Sequence, residues 1–133
     1  MLSIIINSFG DVRIMIAEAL VQLAPNAEWT INGDGYEDIV WLSSGITKPS
    51  KSEVTAKIAE LETAEPMRRL RVERNRRLQI SDWTQGADVP DVIKTPWATY
   101  RQKLRDLPKT ANPSLNSDNV LDDSSVNWPE EPS

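Results

Sequence analysis

The chain has 133 residues, of which 39% are hydrophobic and 26% are charged, and it contains neither cysteine nor histidine. This composition is typical of one globular domain with appendages rather than of a disordered chain. The two missing residue types exclude a disulfide scaffold and any metal site built on thiolates or imidazoles. Because they also remove the commonest nucleophile and general base, we expect no enzymatic activity, no cofactor and no metal.

The sequence predicts neither a signal peptide nor a membrane-spanning segment. The opening run Met1–Asn7 lacks a positively charged start, and its apolar stretch is too short for a signal peptide. No stretch reaches the roughly 18 apolar residues that a spanning helix requires. We therefore expect a soluble protein that has no membrane partner and acts inside the cell that makes it.

The net charge of −5 is distributed unevenly along the chain. Six arginines and one glutamate between Arg68 and Arg77 give a local charge of +5. Residues 109–133 contain one lysine and five acidic residues, a charge of −4. The arginines either form a solvated, partly paired helix face or bind an acidic partner surface, which includes this tail in cis or across a dimer. Nucleic acid is the least favoured ligand, because no aromatic residue lies among them to stack a base.

Residues 1–48 are predicted to form a small N-terminal unit of strands and one helix. The β-branched run Leu2–Asn7 favours a short strand. Asp11 is the expected N-cap of the helix, since its carboxylate can accept a free backbone N–H. Apolar residues then follow at helical spacing until Pro25, which ends the helix.

A β-hairpin is predicted to follow this helix. Its strands are Glu28–Asn32 and Glu37–Ser43, and the cluster Gly33–Gly35 supplies the turn between them. Trp29 and Trp41 lie on one predicted face of the hairpin. There they either pack into the core or present a surface to a partner.

Residues 49–108 are predicted to form a helical module. Ser50 and Glu53 match a capping box, in which each side chain accepts the other residue's backbone N–H. Pro66 is expected to break the helix that follows, because proline lacks the donor that the next turn needs.

The module is predicted to end with a loop over residues 80–94 and a last helix over residues 96–107. Thr95 is the expected N-cap of that helix, with Pro96 at its first position. The acidic tail 109–133, rich in Pro, Asn, Ser and Asp, is expected to be either disordered or docked. The predicted fold class is therefore α+β: a small N-terminal strand and helix unit, a kinked helical module and an irregular C-terminal tail.

Five motifs occur in order along the C-terminal half of the chain. They are Arg74–Leu78 (RNRRL), Ser81–Gln85 (SDWTQ), Asp88–Pro90 (DVP), Trp97–Pro108 (WATYRQKLRDLP) and Asn127–Pro132 (NWPEEP). In these motifs and their order, Arg68–Pro132 resembles the C-terminal module of phage tail-fibre assembly proteins, also called tail assembly chaperones. The N-terminal half is more loosely similar to the leading domain of such chaperones, for example at Asn26–Trp29 and Pro49–Glu53.

The resemblance implies a chaperone that binds trimeric tail-fibre subunits in the host cytoplasm and assists their folding, trimerisation or attachment. A competing interpretation is a virion adaptor that stays bound to the fibre or the baseplate. A third interpretation is a small regulator that binds nucleic acid through Arg68–Arg77. A homo-oligomer is compatible with all three.

Large aromatic residues and arginines are the candidate contacts with a partner, because such residues dominate binding energy at interfaces. The candidates are Trp83, Trp97, Tyr100, Arg101, Trp128, Arg68, Arg71 and Arg74. Trp83 and Trp97 either pack the loop against the last helix or contact the fibre. Trp128 stands in a polar tail with no local core, so we expect it to dock on this protein or on a partner.

Overall fold

A computed structural model of the protein describes residues 12–133. The predicted strand Leu2–Asn7 and the predicted N-cap Asp11 lie outside this range. The chain forms two compact units that divide between Ala64 and Glu65. This division differs from the predicted boundary between residues 48 and 49, because the helix that starts at Lys51 contributes to the first core.

The first unit contains the predicted helix and hairpin. Helix α1 spans Val12–Leu23, and strands β1 (Trp29–Ile31) and β2 (Ile39–Trp41) pair antiparallel. Trp29 is paired with Trp41, so both indoles lie on one face of the hairpin as predicted. A short 3-10 turn at Tyr36–Asp38 precedes β2. The predicted helix, the hairpin and the α+β class are thus confirmed.

The first core lies between α1, the hairpin and the start of the next helix. Its buried residues are Ile16, Ala19, Leu20, Ile39, Val54 and Ile58. Trp29 and Trp41 are partly buried and pack against this core, and Trp41 Nε1 donates to the Ile46 carbonyl at 2.8 Å. The structure therefore favours core packing over a partner surface for these two tryptophans.

Helix α2 spans Lys51–Ile80 and passes through Pro66 without a break. The predicted helix break near Pro66 is wrong. Proline removes one backbone hydrogen bond, and the loss is offset because buried residues lie on both sides, at Ile58 and Leu70. The predicted capping box is confirmed at the start of α2, where Ser50 N and Glu53 Oε2 are 2.9 Å apart and Glu53 N and Ser50 Oγ are 3.1 Å apart.

Helix α3 spans Asp91–Asp106 and begins five residues before the predicted start. Its N-cap is Pro90, so the assignment of Thr95 as cap and Pro96 as first residue is wrong. An acidic residue in the first turn is favourable because the helix N-terminus carries partial positive charge, and Asp91 supplies one here. Pro96 lies inside the helix, and the loop after α2 is shorter than predicted.

The C-terminal tail packs within the second unit. Leu70 of α2, Leu107 and Val126 form a small buried core, and Leu121 and Trp128 pack against it. Of the two alternatives for the tail, the structure shows the docked one. In residues 12–133, no helix is long and apolar enough to cross a membrane.

We expect Ser50→Ala to lower the free energy of unfolding by about 1 kcal/mol, because the substitution removes the capping acceptor from the first turn of α2. Urea denaturation followed by circular dichroism measures this change. Ser52→Ala is the matched control, since Ser52 is exposed and lies inside the helix. Equal stability of the two variants would contradict a role for the capping box.

Candidate interaction surface

The motif Ser81–Gln85 forms the connection between α2 and α3 and contains a 3-10 turn over Asp82–Gln85. The Ser81 hydroxyl donates to the Arg77 carbonyl at 2.7 Å, and the buried Thr84 hydroxyl donates to the Ser81 carbonyl at 2.6 Å. Carbonyl groups in the last turn of a helix lack partners within the helix. Ser81 donates to two of them, those of Arg77 and Leu78, and so holds the connection in place.

Arg101 of α3 forms hydrogen bonds that fix this connection. Its guanidinium donates to the Leu78 carbonyl at 2.5 Å, to Ser81 Oγ at 2.8 Å and to Asp82 Oδ1 at 2.6 Å. Arg101 is only 7% exposed. It is a buried residue that joins α3 to the end of α2, which favours a structural role, and its predicted contact with a partner stays a prediction.

Trp83 and Trp97 form what we call the aromatic surface. Their ring centroids are 6.4 Å apart with the planes tilted by 52°. Trp83 is 62% exposed and Trp97 is partly buried. The ring centroids of Tyr100 and Trp97 are 5.4 Å apart in an edge-to-face arrangement, and Tyr100 is only 3% exposed. Tyr100 thus packs beneath Trp97, and its predicted contact with a partner also stays a prediction.

Further apolar side chains at the ends of the two helices are exposed. Ile93 precedes Trp97 by four residues and so lies on the same face of α3. Val92 is 81% exposed in the first turn of α3, and Ile80 is exposed at the end of α2. Single exposed apolar residues are ordinary, but an exposed tryptophan packed on a second indole is typical of an interaction site.

Four of the six arginines between Arg68 and Arg77 are paired with a glutamate of the same helix. Glu65 pairs with Arg68 at 2.6 Å and Arg69 at 2.7 Å, and Glu73 pairs with Arg76 at 2.7 Å and Arg77 at 2.9 Å. Arg71 and Arg74 form no ion pair within residues 12–133, and Arg74 donates to Asn75 Oδ1 at 3.0 Å. This arrangement matches the partly paired helix face that the sequence favoured.

These ion pairs change the acidity of both glutamates. The hydrogen bond from Arg76, followed by the bond from Arg77, lowers the pKa of Glu73 from 4.5 to about 2 against the opposing effect of burial. The bond from Arg68 likewise lowers the pKa of Glu65. Both carboxylates are therefore ionised at neutral pH, where they screen the arginines from one another.

The tail docks on α2 through Trp128 and a backbone carbonyl. The Arg77 guanidinium lies 4.1 Å from the Trp128 ring centroid, a cation–π contact. Arg69 donates to the Asn119 carbonyl, and Trp128 Nε1 donates to Asp123 Oδ1 at 3.3 Å. Arg69 and Arg77 thus reach the tail through a carbonyl and an indole, rather than through the carboxylates that charge balance alone suggested.

From the arginines of α2, the sequence singled out Arg68, Arg71 and Arg74 as contacts with a partner. It did not single out Arg69 and Arg77, which contact the tail. The spacing contains a usable signal, because residues 69, 73 and 77 follow one another at four-residue intervals on one helix face. Nothing in the tail identifies Asn119 or Trp128 as their partners. The structure leaves Arg68, Arg71 and Arg74 at the surface or only partly buried.

The described part of the chain offers no candidate metal centre. No group of three or more His, Cys, Asp or Glu side chains in residues 12–133 is placed to hold a metal ion. The feature of this surface that is typical of an interaction site is the exposed Trp83 packed on the partly buried Trp97.

Comparison with known proteins identifies the family. The family model described as phage tail assembly chaperone protein matches residues 67–133, about half of the chain. The chain belongs to the phage tail assembly chaperone family, and its role is that of a chaperone in tail assembly. Searches of curated proteins and of solved structures find no match.

We expect Arg101→Ala to lower the free energy of unfolding by roughly 3 kcal/mol, because buried hydrogen bonds to a charged group are lost and their acceptors are left unpaired. Thermal or urea denaturation measures the loss. The matched control is Arg105→Ala in the same helix, where the side chain is exposed and we expect a change below about 0.5 kcal/mol.

Glu73 should contribute stability that depends on pH. Since its pKa is depressed from 4.5 to about 2 in the folded protein, the contribution is present above pH 4.5 and is lost as the pH falls from 4.5 to 2. We expect the difference in melting temperature between the wild type and Glu73→Gln to narrow across this window. A difference that stays constant between pH 5 and pH 2.5 would argue against the depressed pKa.

Proposed function

We propose that the protein is a tail-fibre assembly chaperone that binds fibre subunits through the aromatic surface of Trp83 and Trp97. It assists their folding, trimerisation or attachment in the host cytoplasm and is released afterwards. The observation that carries this proposal is the 62% exposure of Trp83 beside Trp97 in a chain of a tail assembly chaperone family. An exposed tryptophan that packs on a second indole is typical of a surface that a partner covers.

The physical need for such a partner lies in the fibre. Chains that assemble into long trimers expose strand edges and apolar faces before they associate, and these surfaces aggregate. Reversible cover by a small protein suppresses aggregation without any chemical step. Tryptophans suit this role because each buries a large area at a low cost in side-chain entropy.

The scaffold behind the aromatic surface supports binding by a preformed site. Arg101 and Thr84 are buried and hydrogen-bonded, and Tyr100 holds Trp97 from within. A site held in this way loses little conformational entropy when a ligand binds. The cations of Arg71 and Arg74 contribute long-range attraction to an acidic subunit, which raises the rate of encounter more than the affinity.

We further propose that the protein acts by binding alone. The chain has no histidine or cysteine to serve as base or nucleophile. Asp82, one of the acidic residues next to the aromatic surface, is engaged by Arg101. These features support a non-enzymatic mechanism.

The structure offers less support for the two competing functions, a virion adaptor and a nucleic-acid-binding regulator. An ordered acidic tail favours a virion adaptor only if a partner holds it, whereas here Val126 and Trp128 pack on α2 of the same chain. Binding of nucleic acid needs free cations, whereas Glu65 and Glu73 already pair with four arginines. Mass spectrometry of purified particles separates chaperone from adaptor, since only an adaptor is retained at fixed stoichiometry.

We expect Trp83→Ala to reduce the yield of soluble trimeric fibre on co-expression and to weaken fibre binding by at least about tenfold, because an interface anchor is lost. Size-exclusion chromatography quantifies the trimer, and calorimetry measures the affinity. Trp83 is mostly exposed, so the free energy of unfolding should change by less than about 1 kcal/mol.

Leu42→Ala is the matched control, since Leu42 is exposed to a similar degree in the first unit. This variant should support fibre assembly like the wild type. If fibre solubility and trimerisation are the same with and without the protein, the proposed function fails. If Trp83→Ala and Leu42→Ala behave alike, the aromatic surface is not the binding site.

A further inference from the structure

The tail is built as a self-contained segment. Its backbone hydrogen bonds close within the tail, from Asn116 N to the Val120 carbonyl at 2.8 Å and from Asp122 N to the Ser114 carbonyl at 2.9 Å. Leu115 and Leu121 form an antiparallel bridge. The tail therefore folds on itself and reaches α2 through side chains and one carbonyl. A segment of this kind can separate as a unit without breaking a backbone ladder.

A few contacts hold the tail on α2. Val126 is buried and Leu121 is partly buried in the small core around Leu70. Arg77 packs on the Trp128 ring, and Arg69 donates to the Asn119 carbonyl. Few anchors surrounded by polar chain are characteristic of a peptide bound at an interface rather than of a continuous core.

The two arginines that contact the tail also have ion-pair partners within α2. Arg69 is paired with Glu65 and Arg77 with Glu73, both within the helix. Departure of the tail leaves these ion pairs intact and uncovers an apolar face around Leu70, flanked by two guanidinium groups. The exposed face would then be ready to bind another segment of similar chemistry.

The tail also covers this face incompletely. An open cleft of about 390 Å³ lies between α2 at Arg69 and Val72 and the tail at Val120 and Leu121. Val72 and Val120 are both about half exposed at its walls. Close packing is the rule where two surfaces are part of one permanent core, so this partial fit favours an exchangeable contact.

We propose that the tail is a detachable cover and that the α2 face beneath it, formed by Met67, Leu70, Arg69 and Arg77, is a second binding site. Its ligand is an acidic segment of a phage tail protein with an apolar residue two positions before a tryptophan. The tail itself defines this chemistry, because it carries a charge of −4 and presents Val126 and Trp128 in this spacing. This site is additional to the aromatic surface and goes beyond the proposed function.

The covalent link between the tail and α3 sets the balance between the docked and the detached tail. A segment joined to its site by a short linker has an effective concentration in the millimolar range. The tail therefore excludes weak ligands and yields to a segment that binds more tightly or that is held nearby by another contact. The cover would restrict binding at the α2 face to partners already recruited to the protein.

The test uses a fluorescent synthetic peptide of residues 114–133 and the full-length chain. In the wild type the attached tail competes with the peptide, whereas Trp128→Ala weakens the attached tail. We expect Trp128→Ala to bind the peptide at least about tenfold more tightly than the wild type does. Asn127→Ala is the matched control, since Asn127 is an exposed neighbour, and it should bind like the wild type. Adding Arg77→Gln to Trp128→Ala should remove most of the gain.

Equal affinity of the wild type and Trp128→Ala, or a gain that survives Arg77→Gln, would overturn the proposal. Hydrogen exchange on the wild type gives a second measurement that needs no variant. Amides of residues 114–128 should exchange together and at least about 100-fold faster than amides in the interior of α2. Equal protection of the two segments would also refute a detachable cover. Neither experiment contains fibre, so failure here leaves the proposed fibre contact untouched.

Discussion

The packing of α2 along both of its halves is the constraint on which the other elements depend. Helical propensity alone rarely stabilises a long helix in water, and Pro66 removes one of its backbone bonds. Val54 and Ile58 are buried in the first unit, and Leu70 is buried in the second. Each unit therefore stabilises its own part of the same helix, which explains why α2 continues to Ile80 through a residue that ordinarily ends one.

The charges of α2 are arranged so that acidic residues pair with most of the arginines. Six arginines within ten residues would repel one another, but Glu65 and Glu73 each bridge two of them. The helix keeps a net positive charge, and it holds the tail through an indole and a carbonyl rather than through carboxylates. At the aromatic surface, Arg101 holds the connection between α2 and α3, and Trp83 remains exposed beside the partly buried Trp97. For a tail assembly chaperone this separates residues that maintain the fold from residues available to a partner.

Much of the fold could be predicted from local patterns. The capping box at Ser50, the helix before Pro25 and the hairpin around Gly33–Gly35 depend on residues within a few positions of one another, and all three occur. Proline is a strong local signal for a boundary, and at Pro66 packing on both sides of it overrides that signal. At Pro96 the same signal misplaced the start of α3, which begins at Asp91 although residues 91–96 are mostly exposed. The candidate site was predicted in part, since Trp83 and Trp97 are adjacent, but Tyr100 and Arg101 are buried behind them.

The sequence by itself determined the α+β class, the family motifs between Arg74 and Pro132 and the opposite charges of the α2 arginines and the tail. Only the tertiary structure decided that Arg101 is internal and that the tail docks on its own chain. The physical reason is distance along the chain. Arg101 binds the carbonyl of Leu78, 23 positions away, and Arg69 binds that of Asn119, 50 positions away. Side-chain spacing reports which residues share a helix face, whereas burial depends on which distant segment comes to cover that face.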